Sequence, residues 1–294
     1  MAHLFQVGVG SGGIVVLDSL VRDPRVTRVT LVEPDVYKSH NVHRHLFPAT
    51  AVGRQKVEVA AEWVRERRPD VAVETLPVDV MSPACQADIA RAVGECDVAI
   101  CAVDNELAKY HFDQLMRAHR KPWTLGEVLS GGIAGWVHRF TPEGPCYGCV
   151  ASYLQRSAPA DPAAPAPDYA NPGGAVQETT VPASKASIDA IAGLHALVTL
   201  ALLDQGTGAV ATTATPEQGL HPAPVLPESE ADFTSLLFTL KRVPGVFDDA
   251  FRPYKFRISR SAVCLLCSPS AVPTPAGEDL DAALDQALAR LGDV

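Results

Sequence analysis

A glycine-rich turn, Gly8-Val9-Gly10-Ser11-Gly12-Gly13, joins a short apolar run from Leu4 to Val9 to a stretch in which Ile14, Leu17 and Leu20 recur at helical spacing. The turn satisfies G-x-G-x-x-G between a strand and a helix, where glycines let backbone N–H groups approach a phosphate at the positive end of the helix. A second apolar run, Val26 to Val32, follows the break at Asp23 and Pro24. The result is a strand, helix, strand unit of the length a right-handed parallel crossover needs. Glu33 closes the second strand, ~20 residues past the loop, where an acid grips ribose hydroxyls. Loop and acid together predict a nucleotide site without separating ATP from NAD.

The pattern then repeats. Helices are expected over Gly53 to Arg68, Ala84 to Val93 and Glu106 to His119, with strands at Val71 to Leu76 and Val98 to Ala102. Such alternation predicts an α/β, Rossmann-like fold, a mostly parallel sheet with helices on both faces. Beyond it, Trp123 to Val128 and Gly135 to Phe140 read as two strands around Ser130, Gly131 and Gly132, an antiparallel extension of the sheet. The Pro, Ala and Asp-rich stretch from Ser157 to Gly174 has almost nothing to bury and is expected to be extended and mobile. An apolar helix from Ile188 to Leu203, a Pro and Thr-rich insertion ending at Asp232 and a late strand at Tyr254 to Ile258 follow. Leu280, Leu284, Leu288 and Leu291 share one helical face in the tail, which is expected to dock on the body or on a partner.

A chain of 294 residues that is 47% apolar can bury a full core. Its net charge of -9 argues against a nucleic-acid partner, because backbone affinity depends on Lys and Arg displacing counterions. No stretch approaches the ~20 apolar residues that span a bilayer, and the amino terminus lacks the pattern of a signal peptide. A cytoplasmic protein without membrane contact is the expectation. In a reducing setting its cysteines are read for metal or catalysis before disulfides. Cys146-Tyr147-Gly148-Cys149 and Cys264-Leu265-Leu266-Cys267 are two C-x-x-C knuckles, and four thiolates in tetrahedral array suit a structural Zn²⁺. A redox role is the competing reading, but neither pair follows the first strand of a thioredoxin-like unit. Cys85, Cys96 and Cys101 are expected to be buried apolar residues.

Three segments carry a family resemblance: Leu31-Val32-Glu33-Pro34-Asp35, Ser39-His40-Asn41-Val42-His43-Arg44 and Val52-Gly53-Arg54-Gln55-Lys56-Val57. They resemble the ThiF and MoeB family of adenylyltransferases, relatives of ubiquitin-activating enzymes. Ala102-Val103-Asp104-Asn105, Phe140 to Cys146 and Phe247 to Cys267 agree with the same family. The resemblance implies one adenylation domain over residues 1–270, with a mobile crossover segment at 157–184 and an insertion at 206–232, followed by the tail at 271–294. It implies ATP as co-substrate, bound by Gly8, Gly10, Gly12, Gly13, Glu33, Asp35 and Asn41, with Arg44 and Lys56 against the phosphates and Asp104 holding Mg²⁺. The zinc would tie distant parts of one domain together, as it does in the family. The implied reaction is attack by the C-terminal carboxylate of a ubiquitin-like or sulfur-carrier protein ending in Gly-Gly on the α-phosphate of ATP. A homodimer and a downstream conjugating or sulfurtransferase partner belong to the same expectation.

Three departures qualify the match. Glu33 stands where the family usually has aspartate, and a helix that in many relatives precedes the first strand and supplies an arginine to the partner subunit has no counterpart before Leu4. Many relatives also carry a reactive cysteine just before the helix matching Ile188 to Leu203. Here that segment reads Gln177-Glu178-Thr179-Thr180-Val181-Pro182-Ala183-Ser184. Chemistry that stops at the adenylate is the preferred reading, over an oxyester on Thr179, Thr180 or Ser184. Rival functions are adenylation of a peptide or small carboxylate, a non-catalytic scaffold with this fold, and a dinucleotide oxidoreductase.

Overall fold

A computed structural model describes residues 1–155, 182–206 and 233–268. Eight strands form one sheet in the order β3-β2-β1-β4-β5-β6-β7-β8. The strands are β1 (Ala2–Val7), β2 (Val26–Val32), β3 (Ala72–Leu76), β4 (Val98–Cys101), β5 (Trp123–Val128), β6 (Ala134–Phe140), β7 (Ser235–Thr239) and β8 (Pro253–Phe256). The first five run parallel, and β6 to β8 extend the sheet by antiparallel pairing. The order reverses at β1, between β2 and β4, so a crevice opens there at the carboxyl ends of the strands.

Period-two alternation assigns each strand's residues to opposite faces. Leu4, Val98 and Ile100 join one core with α1 (Gly13–Val21), α2 (Lys56–Arg67) and α6 (Lys185–Gly206). Phe5, Val7, Ala99 and Cys101 join the other with α3 (Gln86–Glu95), α4 (Glu106–Ala118) and α5 (Tyr147–Tyr153). Helices thus cover both faces, as the sequence pattern predicts.

The helix α6 corrects one expectation. It is long and apolar enough to cross a bilayer by length and composition alone. In the fold it packs on α1, β5 and β6. Two glycines let it lie close: a Cβ on Gly126 would strike the His195 ring, and one on Gly135 would strike Ile191. Its buried polar groups are satisfied by the sheet, with His195 Nε2 2.9 Å and Thr199 Oγ1 2.7 Å from Thr124 Oγ1. The pattern is that of a core helix.

Other differences are local. The sequence pattern marks neither the strand β7 nor the short helix α5, and α2 begins at Lys56, three residues after the Gly53 that the pattern predicts. The late strand runs from Pro253 to Phe256 instead of Tyr254 to Ile258. Residues 156–181, 207–232 and 269–294, which hold most of the expected crossover segment and insertion and all of the tail expected to form a helix, lie outside the described residues.

Candidate active site

The glycine loop is shaped by close backbone approach. Gly8 has φ +93°, and a Cβ there would stand 2.5 Å from the Ala102 carbonyl oxygen. A Cβ on Gly13 would strike the Gly8 carbonyl oxygen. Buried Gln6 locks the turn from beneath, donating from Nε2 to the carbonyls of Gly8 (3.0 Å) and Gly13 (2.8 Å). The N–H groups of Gly10, Ser11 and Gly12 make no hydrogen bond among the described residues, while Gly10 and Gly12 carbonyls already accept from α1. Amides left open at a helix N-terminus are an anion site in waiting.

Glu33 ends β2 and lies 6% exposed. Its Oε2 accepts from Val9 N–H at 2.8 Å and its Oε1 from Asp35 N–H at 3.0 Å. A carboxylate oxygen has two lone-pair sites, so each retains capacity for a hydroxyl. Burial raises the Glu33 carboxyl above its ordinary value, opposed by the positive charge of Lys56. Lys56 is the first residue of α2, and its Nζ lies 2.6 Å from Asp35 Oδ2 and 3.9 Å from Glu33 Oε1. This buried cation is therefore held by two acids at the rim of the crevice.

The 3₁₀ turn Ser39–Asn41 sets the next group. Asn41 Oδ1 accepts from Lys38 N–H at 3.0 Å, and the Asn41 carbonyl accepts from the backbone of Arg44 and His45. Arg44 is thereby carried into the same cleft. Asp104 follows β4, and Asn105 caps α4, its Oδ1 accepting from Ala108 N–H at 3.0 Å.

All ten residues assigned from the sequence to the nucleotide and its Mg²⁺ line one cleft of about 960 Å³. They come from the turn after β1, the end of β2, the Ser39–Asn41 turn, the start of α2 and the end of β4. The cleft continues past Gly126 and Glu127 of β5 to Ala183 and Ile188 at the start of α6.

Sequence reasoning did not single out His45, Lys109, Glu127 or Tyr147. Buried Lys109 donates at 2.6 Å to both Glu106 and Glu127, and Glu127 reaches His138 Nε2 at 3.2 Å. Glu106 and Lys109 share α4 at i,i+3 spacing, but Glu127 and His138 come from β5 and β6, and no local spacing joins them to that pair.

The four knuckle cysteines converge although 118 residues separate Cys146 from Cys264. Their sulfurs stand 3.7 Å apart for Cys146 and Cys149, 3.5 Å for Cys146 and Cys264, and 3.5 Å for Cys149 and Cys267. Four sulfurs ~2.3 Å from a tetrahedral zinc lie ~3.8 Å apart, whereas a disulfide brings them to ~2.05 Å. The set fits a four-thiolate metal centre and not two disulfides. Cys96 and Cys101 are buried, and burial pushes both thiols up to about 12. Cys85 is only half-buried, which departs from its expected place in the core.

Comparison with known proteins identifies the family. The ThiF family profile matches residues 2–224. The chain belongs to the ThiF family. It is 30% identical over 150 residues to the SAMP-activating enzyme E1 of Haloferax volcanii, covering 51% of this chain and 53% of that protein. It is 23% identical over 157 residues to ubiquitin-like modifier-activating enzyme 5 of Arabidopsis thaliana, covering 49% of this chain and 36% of that one. The chain thus spans between about a third and about half of these curated relatives. In fold it is similar to E. coli MccB, with a TM-score of 0.62 at 14% identity over 95% of this chain and 68% of that one. MccB solved with ATP gives a TM-score of 0.60, over 91% of this chain and 67% of that one.

Proposed function

We propose that the chain catalyses ATP-dependent adenylation of the C-terminal carboxylate of a ubiquitin-like or sulfur-carrier protein. The observation that carries this reading is the convergence of Arg44, Lys56, Glu33 and Asp104 with the open amides of the glycine loop on one cleft at the switch point of the sheet. A substrate carboxylate oxygen attacks the α-phosphorus, the bond to the oxygen bridging the α and β phosphorus breaks, and pyrophosphate leaves with the electron pair. Negative charge grows on phosphate oxygens as this happens. Arg44 and Lys56 supply fixed positive charge there, worth more in a partly desolvated cleft than in water. Glu33 receives the ribose hydroxyls on its remaining lone pairs. Asp104 suits Mg²⁺, a hard cation that prefers carboxylate and phosphate oxygen and draws charge off the triphosphate when bound.

Pyrophosphate exchange into ATP, measured with a candidate carrier ending in Gly-Gly, tests the reading. Exchange is expected with the unaltered chain and is abolished by Asp104→Ala with the fold intact. Undiminished exchange in that variant removes Asp104 from the metal role. Exchange supported by a short peptide or small carboxylate and by no carrier moves the substrate to that class. Binding of NADH without ATP overturns the reading in favour of an oxidoreductase.

A further inference from the structure

Both backbone polar groups of Val9 are held by side chains from further along the chain, and its carbonyl belongs to the peptide that joins it to Gly10. Val9 N–H donates to Glu33, and Val9 C=O lies 3.0 Å from His45 Nε2. The His45 tautomer follows from its other nitrogen. Nδ1 lies 3.3 Å from Phe47 N–H, a donor, so Nδ1 accepts, and the proton must sit on Nε2 to be donated to Val9. Burial lowers the imidazole to about 4, aided by the cations Lys56, Lys185 and Arg44, so the ring is neutral and holds this tautomer at physiological pH. Packing fixes its plane, with the Phe47 ring centroid at 4.1 Å and that of Tyr37 at 5.1 Å.

No peptide bond among the described residues is cis. In a trans peptide the C=O of one residue and the N–H of the next point in opposite directions across the same plane. Holding the Val9 carbonyl against His45 therefore also sets the direction of the Gly10 N–H. Glycine makes that control necessary, because it accepts either sense of a peptide flip at little conformational cost. A flipped Val9–Gly10 peptide would present a carbonyl oxygen where the loop now offers a donor, and a carbonyl repels a phosphate. We propose that His45 is a positioning residue for the triphosphate: its Nε2–H fixes the Val9–Gly10 peptide so that the Gly10 amide stays available to a phosphate oxygen. This inference rests on the nucleotide reading of the cleft and adds a residue to it.

The test is calorimetric titration of the full chain with ATP and, separately, with adenosine, which has no phosphate to meet the loop. His45→Phe keeps a ring against Phe47 and Tyr37 but loses the donor. ATP affinity is expected to fall roughly tenfold or more while adenosine affinity holds, since one charge-assisted hydrogen bond is at stake. His45→Gln, whose amide can donate over a similar reach, is expected to recover most of the ATP affinity. Equal loss for ATP and adenosine, or a failed recovery by Gln in a variant with unchanged melting temperature, overturns the positioning role and leaves His45 as a packing residue. ATP affinity undiminished in His45→Phe also overturns it. Absence of ATP binding by the unaltered chain instead overturns the nucleotide reading, and this inference with it.

Discussion

The hydroxyl of Tyr147, a residue lying between the first two knuckle cysteines, donates at 2.7 Å to Glu106 Oε2 in the first turn of α4. Its backbone N–H also donates to Asp113 at 2.9 Å, one side of the same helix. The cysteine cluster is thus fastened to α4 at two points, and α4 begins directly after Asp104 and its capping neighbour Asn105. From Glu106 the network continues through Lys109 to Glu127 and His138, which reaches Ser235 Oγ at 2.8 Å. Five elements, α5, α4, β5, β6 and β7, are tied together by these polar contacts, and Lys109 and Glu127 among them line the cleft.

Replacing one member of this network should be costly in proportion to what it strands. Tyr147→Phe leaves Glu106 its contact with Lys109 and is expected to lower stability by about 1 kcal/mol, the net worth of a typical hydrogen bond. Lys109→Met leaves two carboxylates facing each other without their cation, and about 3–5 kcal/mol is expected. Urea titration of both variants checks the order. A Lys109→Met chain as stable as Tyr147→Phe would show that Glu106 and Glu127 relax to solvent.

The cysteine geometry leads to a metal prediction. Purified reduced protein is expected to carry close to one zinc per chain, because four sulfurs already stand near tetrahedral spacing. Cys264→Ser should lower both metal content and melting temperature, with any loss of exchange activity following from that instability, since metal affinity here is folding free energy. Elemental analysis that finds no zinc in a folded sample contradicts the assignment.

Stability should fall as the solution is acidified below the ordinary histidine range. His45 is held at about 4 and His195 at about 3, both by burial, against an ordinary 6.5. Below pH 6.5 the unfolded chain binds two protons that the native chain refuses at these sites, so stability present above that value is lost as pH falls toward 4. His3 and His111 shift in the same direction, while Glu33 and Asp113, both raised by burial, Asp113 to about 6, oppose. The expected slope between pH 6 and 5 is about 1–2 kcal/mol per unit. Denaturant midpoints at the two pH values measure it. A flat profile would mean that both imidazoles take up their protons in the native state.

The parallel half of the fold was legible in the sequence because both of its signals are local. Glycine spacing after an apolar run and helical periodicity between such runs are read within about ten residues, and they mark the loop and Glu33, whereas Asp35, Asn41, Arg44, Lys56 and Asp104 follow only from the resemblance to the ThiF family. What escaped depends on distant partners. His45 meets a carbonyl 36 positions upstream, and Lys109 meets Glu127 18 positions away. The strand β7 is five residues long, SLLFT, and follows the Pro and Thr-rich insertion, so its pairing with β6 supplies the evidence that its own pattern lacks. The apolar length of α6 was underestimated for a related reason: His195 and Thr199 interrupt it as sequence but are satisfied by Thr124 across the interface.

Chemistry at the carrier's C-terminus is expected to end at the adenylate, with no thioester on this chain. Residues 157–184 contain no cysteine, and four of the seven cysteines converge on one cluster. A thiolate reacts when it is exposed and its pKa is low, and Cys96 and Cys101 have neither property. Half-buried Cys85 remains the thiol to watch, and it is not among the residues lining the cleft. Of the hydroxyls weighed for an oxyester, Thr179 and Thr180 lie outside the described residues, while Ser184 Oγ accepts from Ser187 N–H at 3.1 Å at the start of α6. That bond gives Ser184 a structural task at the helix terminus. The measurement is a non-reducing gel after incubation with ATP, Mg²⁺ and carrier, run with and without thiol. A thiol-sensitive adduct mapped to Cys85 would contradict the expectation. An adduct that resists thiol, yields to mild base and disappears when Thr179, Thr180 or Ser184 is replaced by Ala would establish the oxyester route instead.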